Sequence, residues 1–203
     1  AVLWDMDGTL VDTEPYWFDA ERELVESFGG TWSDDDAHAV VGFDLLDSAA
    51  YIRDRGGVPL DPVEIVDRML ASVVDRLRDT IPWRPGVLRL LGDLNKAGVP
   101  CALVTMSWHR LVDPIVDALP PGSFVAVVTG DDVPPGKGKP DPTPYVMGAN
   151  ACGAAPEDCV AIEDSPTGVR SALGAGCAVL GVPNVRSLEP ADRLTLRRSL
   201  DGV

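Results

Sequence analysis

The sequence predicts an α/β protein: a three-layer sandwich built on a parallel sheet, with an all-helical insert directly after the first strand. Three observations lead there. Short apolar runs at 1–5, 99–105, 124–129, 159–163 and 178–182 do not alternate with polar residues and end in turn residues. Strands buried on both faces, as in a parallel sheet, read this way. Helical periodicity fills the gaps between the later runs. From Thr13 to about Pro82, by contrast, no run looks like a buried strand.

Taken in order, the first run, Ala1-Val2-Leu3-Trp4-Asp5, opens the sheet. The insert follows, with amphipathic helices expected at 14–28, 44–55 and 62–78, separated by Gly29-Gly30 and by Gly56-Gly57-Val58-Pro59. Residues 85–97 place Val87, Leu88, Leu91 and Leu94 on one helical face and stop at Gly98. Residues 108–119 are apolar at helical spacing, with Pro114 expected to kink them. Helices at 145–151 and 167–175 complete the alternation. The expected organisation is a core of residues 1–12 and 83–203 around an insert of residues 13–82. The charged stretch 184–203 has no assigned role.

The 203 residues are 45% hydrophobic, enough for a sizeable core. The net charge of −15 argues against nucleic acid, which needs a basic footprint. It also means that a bound phosphate would need local cations. No stretch approaches the roughly 20 apolar residues of a membrane helix, so no membrane partner is expected, and no secretory leader is visible. Cys101, Cys152, Cys159 and Cys177 form no CxxC, and His38 and His109 lack zinc-like spacing. They read as reduced core cysteines of a cytoplasmic protein. Oligomeric state is open, and a monomer fits.

Four segments carry chemistry. Asp5-Met6-Asp7-Gly8-Thr9 sets two acids at i and i+2, so both can face one site at a strand end. Thr105-Met106-Ser107 ends the second run with hydroxyls. Gly136-Lys137-Gly138-Lys139-Pro140-Asp141-Pro142 fixes a cation in a stiff loop, and Glu163-Asp164 ends another strand in acids. In parallel sheets, ligands bind beyond the carboxyl ends of strands, where these segments lie. Each alone also fits plain structural duty: turn acids, a helix N-cap, a solvated lysine.

Together and in this order, they resemble the signature of the haloacid dehalogenase superfamily, spanning Asp5 to Asp164. The resemblance implies a Rossmann-like core with a helical cap. It also implies a Mg²⁺-dependent phosphatase of small phosphomonoesters, acting through an aspartyl-phosphate. Asp5 would be the nucleophile and Asp7 the general acid/base. Thr105 and the backbone N–H groups of Met106 and Ser107, at the start of the following helix, would bind phosphate, with Lys139 rather than Lys137. Asp5, Asp7 and Asp164 would hold the metal, with Glu163 joining directly or through water. Asp7 speaks against dehalogenation, because haloacid dehalogenases lack the second acid.

Asp12-Thr13-Glu14-Pro15-Tyr16-Trp17 is similar to the DxEP stretch of the sugar-phosphate phosphatases and β-phosphoglucomutases. That places Glu14 and Trp17 against the substrate. The mutases carry histidine where this chain has Trp17, and a phosphate-binding arginine where it has Leu45, unless Arg53 or Arg55 compensates. A phosphomutase and a non-catalytic ligand-binding member of the fold are the alternative readings.

Overall fold

The apolar runs form strands, all of them parallel. This computed structural model describes residues 1–78 and 80–203; position 79, inside the expected insert, lies outside the described residues. The strands are β1 (Val2–Trp4), β2 (Cys101–Val104), β3 (Ala126–Val128), β4 (Val160–Glu163), β5 (Ala178–Gly181) and β6 (Leu194–Leu196). Their order across the sheet is β3-β2-β1-β4-β5-β6. The chain therefore steps outward from β1 on one side and then crosses to β4 on the other. The switch point lies between β1 and β4, the place where such sheets open a crevice.

Register puts the site there. Trp4 pairs with Leu103 of β2 and with Ile162 of β4, and Asp5 N donates to Ile162 O at 3.0 Å. One step beyond, Asp5 stands level with Val104 and Glu163.

Alternation along β1 splits the core. Val2 and Trp4 join the cluster that holds Val87 and Leu91 of α5 (Val87–Lys96) and Leu111 and Ile115 of α6 (His109–Asp117). Leu3 faces the other cluster, with Tyr145 and Ala149 of α7 (Thr143–Ala151) and Val169 and Ala172 of α8 (Pro166–Ala175). These are the two outer layers of the sandwich.

Between β1 and α5 lie α1 (Glu14–Ser27), α2 (Asp34–Val40), α3 (Leu45–Gly56) and α4 (Pro62–Leu77). Their starts have local causes. Asp44 and Asp61 cap α3 and α4 by accepting from Leu46 N and Val63 N, and Pro62 pre-sets the first turn of α4. The chain leaves and returns at one place: Asp12 N donates to Pro82 O at 2.8 Å, and Val11 bridges Trp83.

Two elements depart from expectation. Helix α2 was not foreseen, although Ser33 and Asp36 form a reciprocal capping box at its start. Strand β6 arises in the charged C-terminal stretch, where no element was expected. It is a short edge strand and mostly exposed. All four cysteines are unpaired; Cys152 is half-buried and the others are buried. Among the described residues, no helix is long and apolar enough to cross a membrane.

Candidate active site

Asp5 follows β1, Thr105 follows β2 and Asp164 follows β4, so three strand ends converge on the crevice. Lys139 comes from the loop between β3 and α7 and is buried. Its Nζ donates to Asp5 Oδ1 at 2.7 Å, Glu163 Oε1 at 2.7 Å and Val104 O at 3.0 Å. Burial lowers a lysine's pKa, but here the two carboxylates outweigh it and hold Lys139 above its ordinary value. Lys137 is different: it is exposed and pairs with Asp141.

Strand alternation sends Glu163 and Asp164 to opposite sides, yet oxygens of Asp5, Glu163 and Asp164 all lie within 4.8 Å of one another. Glu163 achieves this from beneath. Its Oε1 also accepts from Tyr145 Oη at 2.7 Å, and its Oε2 accepts from Asp164 N, Ser165 N and Ser165 Oγ. With these donors the carboxylate is fully engaged, and it steadies Lys139 and the turn into α8. Two glycines make room for the acids. A Cβ at Gly8 would lie 2.1 Å from Asp164 Oδ2, and one at Gly168 would lie 1.7 Å from Glu163 Oε1.

Asp7 is ringed by donors. Thr13 Oγ1 (2.6 Å) and Trp17 Nε1 (3.2 Å) reach Oδ1; Ser107 Oγ (2.7 Å) and Thr105 Oγ1 (3.3 Å) reach Oδ2. Trp17 thus spends its indole N–H on Asp7. Met106 and Ser107 do not open the following helix, which starts at His109 with Trp108 as its N-cap. Ser107 N donates to Thr105 Oγ1 instead. The stretch is a tight turn before the helix, because the Thr105 hydroxyl offers that N–H an acceptor nearer than any helical carbonyl.

The acids fit a hard cation. Among the described residues, Asp5 Oδ2 is buried with no hydrogen-bond partner, and the Asp164 carboxylate has only a 3.4 Å contact from Thr9 Oγ1. Burial, then Glu163, push Asp5 up to about 7 despite the opposing pull of Lys139. Burial, Asp5 and Glu163 likewise raise Asp164 well above its ordinary value. An all-oxygen carboxylate cluster with unused lone pairs is what a divalent metal requires.

Beyond the acids the cleft is walled by the inserted helices: Glu14, Trp17 and Glu21 of α1, Val40 and Val41, Leu45 and Ser48 of α3, and Met69 of α4. Glu14 therefore lines the cleft. Arg53 and Arg55 do not line it; they pair with Asp54 and Asp36. Glu21, Ser48 and Tyr145 were not foreseen. The helical spacing of Glu21 from Glu14 was the available signal for the first, and no motif marks the other two.

A family model described as haloacid dehalogenase-like hydrolase matches residues 1–176. The chain belongs to the haloacid dehalogenase-like hydrolases. Among relatives of this hydrolase, hexitol phosphatase A of Escherichia coli (strain K12) is 33% identical over 193 residues, covering 89% of this chain and 81% of its own. The phosphorylated carbohydrates phosphatase of Thermotoga maritima is 31% identical over 187 residues, covering 87% and 81%. Among solved structures, CbbY from Rhodobacter sphaeroides in complex with xylulose-(1,5)bisphosphate superposes with a TM-score of 0.86 at 25% identity, covering 99% and 94%. A β-phosphoglucomutase from Clostridium difficile, at 21% identity and a TM-score of 0.80, shares the fold.

Proposed function

We propose that this hydrolase is a Mg²⁺-dependent phosphatase of small phosphomonoesters, working in the cytoplasm. The observation that carries the reading is Asp5: one oxygen is held by Lys139, the other is buried without a partner among the described residues, and Asp7 stands two residues away. Relatives named as hexitol and carbohydrate phosphatases support it. The four unpaired cysteines fit a reducing compartment. Residues 13–82 act as a cap domain over a core of 1–12 and 83–203. The paired strands of chain at Asp12 and Pro82 support that division.

The chemistry runs in two steps. A carboxylate oxygen of Asp5 attacks phosphorus, the bond from phosphorus to the ester oxygen breaks, and Asp7 delivers its proton to the departing alkoxide. Asp7, now a carboxylate, takes a proton from water as that water attacks the aspartyl-phosphate, which releases phosphate and restores Asp5. Lys139 and the Thr105 and Ser107 groups neutralise and orient the phosphoryl oxygens. Mg²⁺, held by Asp5, Asp164 and the Asp7 carbonyl, would supply charge compensation between carboxylate and phosphate. Two like unit charges at 4 Å repel by about 4 kcal/mol at an effective dielectric near 20. Glu163 positions Lys139, and Trp17 positions Asp7. Closing the inserted helices over the crevice keeps bulk water from the reaction.

A mutase must grip a second phosphate from the cap. Leu45 stands where a cation would be needed, and neither Arg53 nor Arg55 lines the cleft.

The test is phosphate release from p-nitrophenyl phosphate and a panel of sugar, nucleoside and glycolate phosphates, with and without Mg²⁺. Release should need the metal and fall at least about a thousandfold in Asp5→Asn, the loss that removing a nucleophile brings. Asp5→Asn activity above that level would overturn the nucleophile assignment. Isomerised sugar phosphate without free phosphate would favour the mutase.

A further inference from the structure

The α1 wall of the cleft carries groups that the phosphoryl chemistry leaves unused. Glu14, Trp17 and Glu21 fall at i, i+3 and i+7, one face of a helix, and line the cleft together with Ser48. Trp17's N–H is committed to Asp7. The other three have capacity left over. Glu14 is 7% exposed, and among the described residues its carboxyl has no hydrogen-bond partner. Glu21 is 4% exposed and uses Oε2 alone, accepting from Trp32 Nε1 at 3.0 Å. Ser48 is a buried residue that lines the cleft, and among the described residues its hydroxyl makes no hydrogen bond. Around them the wall is apolar, with Val40, Leu45 and Met69.

Buried polar groups with spare lone pairs suit an occupant that completes their hydrogen bonds. Charge narrows which occupant. Among the described residues lining the cleft, Lys139 is the only lysine and no arginine occurs, and Lys139 already serves Asp5, Glu163 and Val104. A leaving group with its own phosphate or carboxylate would find no free cation to pair with along this wall. Hydroxyls both donate and accept, as a carboxyl near neutrality can. Burial pushes Glu14 and Glu21 each up to about 8, so both forms are available at physiological pH.

We propose that Glu14, Glu21 and Ser48 read the hydroxyls of a neutral polyol or sugar leaving group and reject esters that carry a second anionic group. The inference rests on the phosphatase reading and names its substrate class.

The experiment compares kcat/KM for a hexitol 6-phosphate, phosphoglycolate, a hexose bisphosphate and p-nitrophenyl phosphate in the wild type, Glu21→Ala, Glu21→Gln and Ser48→Ala. The wild type should prefer the hexitol ester over both dianionic-plus-anion esters. In Glu21→Ala the ratio of hexitol ester to p-nitrophenyl phosphate should fall at least about tenfold, since a lost hydroxyl partner is costly in a closed site. Glu21→Gln should keep most of that ratio, because its amide oxygen still accepts from Trp32. A merely structural role would lower all esters alike. An unchanged ratio in both Glu21→Ala and Ser48→Ala overturns the inference while leaving the phosphatase intact. So does a wild type that prefers phosphoglycolate or the bisphosphate. No hydrolysis of p-nitrophenyl phosphate by any form overturns the phosphatase reading as well.

Discussion

Lys139 Nζ meets two carboxylates and a carbonyl at once, and every group in that contact is buried. Removing one member of a buried ion pair strands the other, at about 3–5 kcal/mol. Lys139→Met should therefore destabilise the protein by that order in denaturant titration as well as abolish turnover. Mg²⁺ should recover part of the loss, because it replaces the missing positive charge beside Asp5. Stability equal to the wild type without metal would show that the carboxylates do not depend on the lysine. Lys139 was legible in the sequence because a stiff Gly/Pro loop fixes it, and Asp5 and Asp7 because the period of two puts them on one side. Glu163 was legible as a residue but not in its part. Alternation points it away from Asp164, and only packing against Tyr145, 18 positions earlier, brings its carboxylate under Lys139. Glu21 and Ser48 carry no motif, since what makes them polar walls is which helix lies opposite.

At the scale of the element, α8 shows how tightly a helix start is tied to the site. Ser165 caps it and Pro166 opens it, so Gly168 sits at its third position, against Glu163. Gly→Ala within a helix ordinarily stabilises by about 0.5–1 kcal/mol. At Gly168 the sign should reverse, because the added Cβ would stand 1.7 Å from Glu163 Oε1. Overpacking of this kind costs about 1–3 kcal/mol, and activity should fall as Glu163 shifts under Lys139. Gly174 of the same helix is the control. Its Cβ would meet only Pro142 Cβ, at 3.7 Å, so Gly174→Ala should raise the melting temperature slightly and leave turnover alone. Equal melting temperatures for the two variants would mean that Glu163 is free to move aside. The first five strands and most helices could be read from sequence because burial erases alternation in the strands and the helices keep a clean apolar stripe. Strand β6 could not, since a three-residue edge strand with two exposed residues in a charged stretch has neither signal. Helix α2, seven residues long, was too short to show a period.

Across the whole molecule, acidity is concentrated where it is hardest to bear. Asp5, Glu14, Glu21 and Asp164 all line one cleft in a chain of net charge −15, facing a single lysine there among the described residues. Burial is the first cause of each shift, raising Asp5 to about 7 and Glu14 and Glu21 to about 8, with Asp164 raised as well. The unfolded chain returns these groups to roughly 4. Between those limits the folded state binds more protons than the unfolded one, so stability falls as pH rises through 7 to 8. This is opposite in sign to an ordinary ion-paired carboxylate. Asp36, Asp54 and Asp141, lowered by hydrogen bonds from Ser33, Arg53 and Thr143, have that ordinary sign and act only near pH 4 and below. The metal-free protein should therefore melt higher at pH 5.5 than at pH 8.5. Mg²⁺ should reverse the ranking. At 100 times its dissociation constant, a ligand bound only by the folded state adds about 2.7 kcal/mol, and protons on Asp5 and Asp164 compete with the metal as pH falls. The stabilisation by Mg²⁺ should thus be large at pH 8.5 and small at pH 5.5. Thermal unfolding at both values, with EDTA or with excess Mg²⁺, checks this. A metal-free protein that melts lower at pH 5.5, or a Mg²⁺ effect independent of pH, would show that the cleft acids are not held protonated by burial and do not form the cation site.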